Sequence, residues 1–269
     1  MNLSPLALEV GPHVLRGSLY LPDGVAGPCP TAVLHHGFGG SRTEAGSFVD
    51  LARALNARGV AVVAMDRAGQ GESDGDFADI SVERDVRDSV ELLDRIAELD
   101  AVDAHDLHLV GLSMGAVVAS LVAAQRPERV RSLTFWSVAA VFVDEITAGR
   151  LQGQPTDVVE RVGWFDFYGR RIGPALFAEA PGFDVYGRAR GYSGPVRVLH
   201  GDADFVPVRY AEAYREVYGD AMELTVVPGA DHGWSTVPTR DLVIRETVAM
   251  VCRHAGTRVR PTEDVEGGV

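Results

Sequence analysis

Residues 107–120 read LHLVGLSMGAVVAS. The apolar run from Leu107 to Val110 stops at Gly111; Leu112, Ser113 and Met114 follow, then Gly115 and a second apolar run. A turn that needed only polarity could use Asn or Asp, without glycines on both sides. Glycine is needed where a Cβ would collide with nearby backbone, as in a tight, strained turn that lifts a hydroxyl above a sheet and sets it at a helix N-terminus. G-x-S-x-G between a strand and a helix is that turn, the nucleophile elbow. The pentapeptide alone also fits a glycine-rich turn with an incidental serine, so its meaning depends on what else the chain supplies.

Outward from this turn, apolar strand-like runs alternate with helix-period segments. A hairpin opens the chain (LALEV, then VLRGSLYLP), followed by a strand at 31–36, a helix near 44–58, a strand at 60–65 and a helix near 81–99. After the Ser113 turn and its helix come strands at 131–137, 196–201 and 223–229, with helices near 208–218 and 239–254. Strands that are apolar throughout predict an α/β fold: a mostly parallel sheet covered by helices on both faces. The expected core is 1–138 together with 194–254. Residues 139–193 break the alternation and hold nine of the chain's 10 Phe, 7 Tyr and 3 Trp. That segment reads as an inserted cap. Residues 255–269 have little apolar content and read as a flexible tail.

A serine hydroxyl is a weak nucleophile without a base. With an elbow of this kind, the acid and base follow in the order Ser, Asp or Glu, His. LHGDADFVP ends one downstream strand with Asp202 and Asp204, and PGADHGW ends the next with His232. His200 precedes both aspartates, and His254 falls at the end of the last helix. Strand ends on that edge of the sheet are where α/β folds build sites. The candidates are therefore Ser113 as nucleophile, His232 as base and an aspartate of the HGDAD loop as acid. An oxyanion needs two backbone N–H donors: Met114, after the serine, and Phe38, in the HHGFGG loop (35–40) after an early strand. Read as a phosphate loop, GFGGS lacks its lysine. GQGESDG (69–75) has one residue too many for a dinucleotide fingerprint. HGDAD lacks further ligands for a metal.

HHGFGGSRTEAGSFVDLARALNARGVAVVAMDRAGQGESDGDF, GLSMGAVVASLVA, GPVRVLHGDADFVPV and VVPGADHGW together resemble the α/β-hydrolase superfamily, within it most closely the bacterial cinnamoyl/feruloyl esterase-type carboxylesterases with a short inserted cap. The resemblance implies an α/β-hydrolase fold and the catalytic set Ser113, Asp204 and His232, with Phe38 and Met114 as the oxyanion hole. Asp204 is favoured over Asp202 because the acid falls three residues after the glycine of the HG pair. The chain departs from the usual GHSMGG at Leu112 and Ala116, and its acid loop is one residue shorter before Pro207. The expected activity is serine esterase cleavage of a carboxylic ester with an aromatic or apolar acyl part, with Trp164, Phe165, Phe167 and Tyr168 of the cap against the substrate. The same triad also serves a thioesterase or an acyl-eliminating lyase of natural-product biosynthesis, and the same fold a non-catalytic binding module.

Composition fits these readings. The chain of 269 residues is 46% hydrophobic and 23% charged, as in a globular protein, and has a formal net charge of −13. All 25 basic residues are arginine, so chemistry that needs a lysine amine is excluded. Net negative charge opposes nucleic acid and anionic membrane. No metal or organic cofactor is expected. The expected partner is a small-molecule ester or thioester, with a second copy of the chain as a candidate homodimer partner. Cys29 and Cys252 form no ligand-like pair and are expected as two buried thiols outside any disulfide. MNLSPLALEV has neither a basic n-region nor a long apolar stretch, so a cytoplasmic location is expected.

Overall fold

The fold is seen in a computed structural model of the protein, which describes residues 1–25 and 27–256. Among the described residues one large sheet has eight strands: β1 (Asn2–Val10), β2 (His13–Leu21), β3 (Cys29–His35), β4 (Ala61–Met65), β5 (Val102–Leu112), β6 (Val130–Trp136), β7 (Val196–Gly201) and β8 (Met222–Val227). Their spatial order is β1-β2-β4-β3-β5-β6-β7-β8. β1 and β2 form an antiparallel hairpin with Val10 opposite His13, β2 pairs antiparallel with β4, and every later pairing is parallel. This is the mostly parallel sheet expected from the uniformly apolar strands.

β3 and β4 are buried at every residue, and β5 over its last seven. Neighbouring residues on these strands serve opposite faces, as the two-residue period of a strand requires. Val33, Val63 and Leu109 join one apolar cluster with α2 (Val82–Ile96) and α3 (Met114–Gln125). Ala32, Leu34, Val62 and Val110 join another with α1 (Ser47–Asn56) and α4 (Val237–His254). The starts of α2 and α4 are capped by Ser81, which accepts from the Arg84 N–H, and Thr236, which accepts from the Thr239 N–H. The helix expected near 208–218 is two short turns, Arg209–Glu212 and Arg215–Tyr218. Tyr210, Tyr214 and Tyr218, spaced four residues apart, are all buried.

Between β6 and β7 the 139–193 segment forms short helices and two small hairpins, Arg150–Leu151 with Gln154–Pro155 and Phe165–Phe167 with Arg170–Ile172. Its apolar side chains join the α2/α3 cluster, and the Glu179 carboxylate accepts the Val82 and Glu83 N–H groups at the start of α2. Of the expected tail, residues from 257 onward lie outside the described residues; the Gly256 N–H donates to Asp106 at 2.7 Å. Cys29 is buried and Cys252 only partly so, with no disulfide between them. No helix among the described residues is long and apolar enough to cross a membrane.

Candidate active site

β5 ends at Leu112 and α3 begins at Met114, so the whole reversal passes through Ser113. Ser113 adopts φ 58° and ψ −121°, a conformation open to glycine and costly for other residues by about 1–3 kcal/mol. Its surroundings hold it there. The Ser113 N–H donates to the Trp136 carbonyl at 2.8 Å, and the Ser113 carbonyl accepts the N–H groups of Ala116 at 3.1 Å and Ala139 at 3.3 Å. A Cβ on Gly111 would lie 2.5 Å from the Ala116 backbone, and one on Gly115 would strike the His35 and His36 carbonyls. Gly115 thus lets the start of α3 press against the end of β3, which brings Met114 and Phe38 to the same cleft.

β7 and β8 are neighbours, so the loops after them meet beside Ser113. His232 Nε2 lies 2.9 Å from Ser113 Oγ, and His232 Nδ1 lies 2.8 Å and 3.0 Å from the two Asp204 carboxylate oxygens. A carboxylate can only accept, so it keeps the proton on Nδ1 and leaves Nε2 to accept the serine hydroxyl. The Asp204 side chain is fully buried. Burial pushes its carboxyl up, but the His232 hydrogen bond, the His232 charge and the Val206 N–H outweigh burial and lower it. Asp202, the competing aspartate, is exposed and accepts the Gly229 N–H at 2.6 Å, tying its loop to the neighbouring one. Asp144 accepts the Tyr210 hydroxyl at 2.6 Å. His200 is buried beside Asp204, with Nε2 2.7 Å from the Val206 carbonyl.

Phe38 and Met114 border one cleft with Ser113, open to solvent. Neither backbone N–H has an acceptor among the described residues. The cleft's other walls are Ala139, Val141, Phe142, Leu151, Leu176 and Phe205, with Glu145 and Gln152 as its further polar side chains. The four aromatics expected against the substrate do not line it. Phe165 packs on Phe177, and Phe167 packs edge-on against Phe38 at 4.9 Å between centroids. Trp164 lies under the Arg171 guanidinium, and Tyr168 is 85% exposed. The alternation of the Phe165–Phe167 strand turns its two phenylalanines inward onto the core and leaves its other side to solvent. The cleft is lined instead from the helix at Phe142–Thr147, the first hairpin, and the helix at Pro174–Glu179.

Sequence reasoning also missed the polar ring around the HHGFGG loop. The Gly37 N–H donates to Glu44 Oε1 at 2.5 Å, and the Gly39 N–H to Gln70 Oε1 at 2.9 Å. Burial raises the Glu44 carboxyl above its ordinary range, against the opposing pull of the Gly37 N–H, Arg67 and His232. Burial and the Arg67 charge hold His35 at about 3 and His36 well below the usual histidine range, so both rings are neutral. Arg67 pairs with Asp85 at 2.7 Å, both almost wholly buried. A signal was present in RAGQGES: an arginine at the end of a buried strand has to find partners in the interior. Chemically, the cleft holds a hydroxyl with a hydrogen-bonded acceptor, a fixed imidazole tautomer and two unspent N–H donors.

A family model for the alpha/beta hydrolase fold matches residues 30–227. No curated protein matches the sequence. Among solved structures, Est1E from Butyrivibrio proteoclasticus with ferulic acid bound superposes with a TM-score of 0.82 at 25% identity, over 91% of this chain and 99% of that one. The alpha/beta hydrolase domain-containing protein 10 from mouse gives 0.71 at 21% identity, over 93% and 99%. The esterase domain from a Rhodothermus marinus protein gives 0.66 at 20% identity, over 95% and 100%.

Proposed function

The chain belongs to the alpha/beta hydrolase fold family and is a hydrolase on that ground; we propose that it is a serine hydrolase cleaving a carboxylic ester of an aromatic or apolar acyl group through an acyl-enzyme. The unbroken hydrogen-bonded chain from Ser113 Oγ through His232 to Asp204 carries this reading. Ser113 Oγ attacks the ester carbonyl carbon while His232 Nε2 takes the hydroxyl proton. The carbonyl π electrons move onto oxygen, and the Phe38 and Met114 N–H groups receive that charge. Collapse expels the alcohol oxygen, to which His232 returns the proton, and the acyl group stays on Ser113. Water then attacks with His232 again as base, releasing the acid and restoring the serine. Asp204 keeps the tautomer and offsets the imidazolium charge. These steps call for no metal or organic cofactor.

The acyl preference rests on the apolar walls of the cleft beside Ser113. The ferulic acid bound to Est1E, an aromatic carboxylic acid, supports the same class of acyl group. Glu145 and Gln152 give the cleft polar groups, which suits an acyl part carrying a hydrogen-bonding substituent. Fluorophosphonate treatment followed by peptide mass spectrometry tests the mechanism. A single adduct on the peptide containing Ser113 is expected, with loss of ester hydrolysis. An active protein that takes no label overturns the reading.

A further inference from the structure

From Gly37 to Gly40, only the Phe38 N–H lacks an acceptor among the described residues. Gly37 donates to Glu44, Gly39 to Gln70, and Gly40 to the Gly37 carbonyl at 3.1 Å. The Gly37 carbonyl belongs to the same peptide plane as the Phe38 N–H, and three donors converge on it. Besides Gly40 these are Arg67 Nη2 at 2.8 Å and His36 Nδ1 at 2.9 Å. His36 is a donor here because its Nε2 accepts the Arg67 backbone N–H at 3.0 Å and the ring is neutral, which leaves its one proton on Nδ1. In a trans peptide the C=O and N–H point in opposite directions. Donors massed on the carbonyl therefore hold the Phe38 N–H pointing the other way, away from Arg67, His36 and Gly40.

Arg67 is itself fixed. The same Nη2 donates to the His36 carbonyl at 3.0 Å, and Nη1 is held by Asp85 at 2.7 Å. A second arginine grips the loop from the inserted segment. Arg170 donates to the Gly39 carbonyl, with its guanidinium stacked 4.1 Å from the Phe77 ring centroid. Gly39 has φ 72°, and a Cβ there would meet Arg170 and, at 2.8 Å, the Phe167 ring. The hairpin Phe165–Phe167 with Arg170–Ile172 thus closes over the loop backbone and not over the cleft.

We propose that Arg67 and Arg170 are positioning residues for the oxyanion hole: Arg67 fixes the Gly37–Phe38 peptide plane, and Arg170 anchors the same loop to the inserted segment. This rests on the reading of Phe38 N–H as an oxyanion donor. Both arginines act through backbone carbonyls, so they serve charge that develops in the transition state and leave ground-state binding alone. A purely structural role for either would lower stability and leave the rate per folded molecule unchanged.

The test compares wild type, Arg170→Met, the neighbouring control Arg171→Met, and the double variant Arg67→Met/Asp85→Leu. The double change replaces a buried ion pair by apolar groups, which is often tolerated where removing one partner is not. Readouts are kcat and KM for a p-nitrophenyl ester and the affinity of an aryl trifluoromethyl ketone, whose serine adduct places an oxyanion in the hole. Removing an oxyanion donor costs on the order of 10²–10³ in kcat, and misaiming one costs a share of that. We expect kcat and ketone affinity to fall together, on the order of 10-fold for Arg170→Met and 10²-fold for the double variant, with KM little changed. Arg171→Met should match wild type. Unchanged kcat and ketone affinity in folded Arg170→Met, with wild type labelled at Ser113, overturns the proposal while the serine mechanism stands. If the double variant fails to fold, Arg170→Met decides alone. A wild type that binds no ketone and takes no fluorophosphonate overturns both.

Discussion

The Phe205 ring lies 4.2 Å, centroid to centroid, from the His232 imidazole at an interplanar angle of 43°, although Phe205 is 57% exposed. A large apolar side chain left open to water on the histidine suits a role at the rim of the cleft better than one in the core. A tilted ring contact of this kind is worth about 0.5–1.5 kcal/mol, so Phe205→Ala should lower kcat/KM by up to about 10-fold. Melting temperature should not move. Steady-state kinetics with one acyl group and several alcohols checks this, and equal losses for aryl and alkyl alcohols would assign the effect to His232 orientation alone.

Asp202 and Asp204 stand two residues apart with different partners, which separates their variants. Asp204→Asn should be folded and slower on the order of 10⁴-fold in kcat, because the amide no longer enforces the His232 tautomer. Asp202→Ala should keep its rate and lose about 1 kcal/mol of stability, the worth of the hydrogen bond from the Gly229 N–H. Chemical denaturation alongside kcat measurement checks both, and the opposite pattern would move the acid to Asp202.

Ser113 sits in a conformation that glycine adopts without steric cost. Ser113→Gly and Ser113→Ala should both be inactive, but the glycine variant should be the more stable by about 1–2 kcal/mol. At about 2–4 °C per kcal/mol for a chain near this size, calorimetry resolves the difference. Equal melting temperatures would mean the elbow stores no strain.

Burial raises the Glu44 carboxyl in the folded protein. The folded state therefore holds this proton more firmly than the unfolded chain does. Its contribution to stability is complete below the ordinary glutamate range, and is lost as pH rises through the raised folded value. Glu44→Gln keeps an oxygen for the Gly37 N–H without the buried charge. It should melt higher than wild type near pH 7, with the gap closing at about pH 4 and below. A gap independent of pH would contradict this assignment.

Much of the site was legible because its parts are local. The apolar runs ending at Leu112, Gly201 and Val227 set Ser113, Asp204 and His232 on one sheet edge, since parallel strands share a direction and their following loops share an end. The glycines around Ser113 announced a close backbone approach, and the Cβ clashes at Gly111 and Gly115 are that approach. The cap aromatics were less legible. Enrichment in rings says that a segment is covered, and not by what. Phe167 turned to Phe38 in the HHGFGG loop, whereas Val141, Phe142, Leu151 and Leu176 turned to the cleft.

Strand ends, turn chemistry and the order of serine, aspartate and histidine are fixed by the sequence itself, because each depends on a few neighbouring residues and on a period of two or 3.6. The direction of each side chain in an irregular segment depends on partners far away along the chain. Arg170 meets the Gly39 carbonyl across 131 residues, Arg67 meets that of Gly37 across 30, and Phe205 meets His232 only because β7 and β8 pair. No local pattern encodes such meetings. They are decided by packing, where a buried guanidinium must find carbonyls or carboxylates and takes those that the folded chain brings within reach.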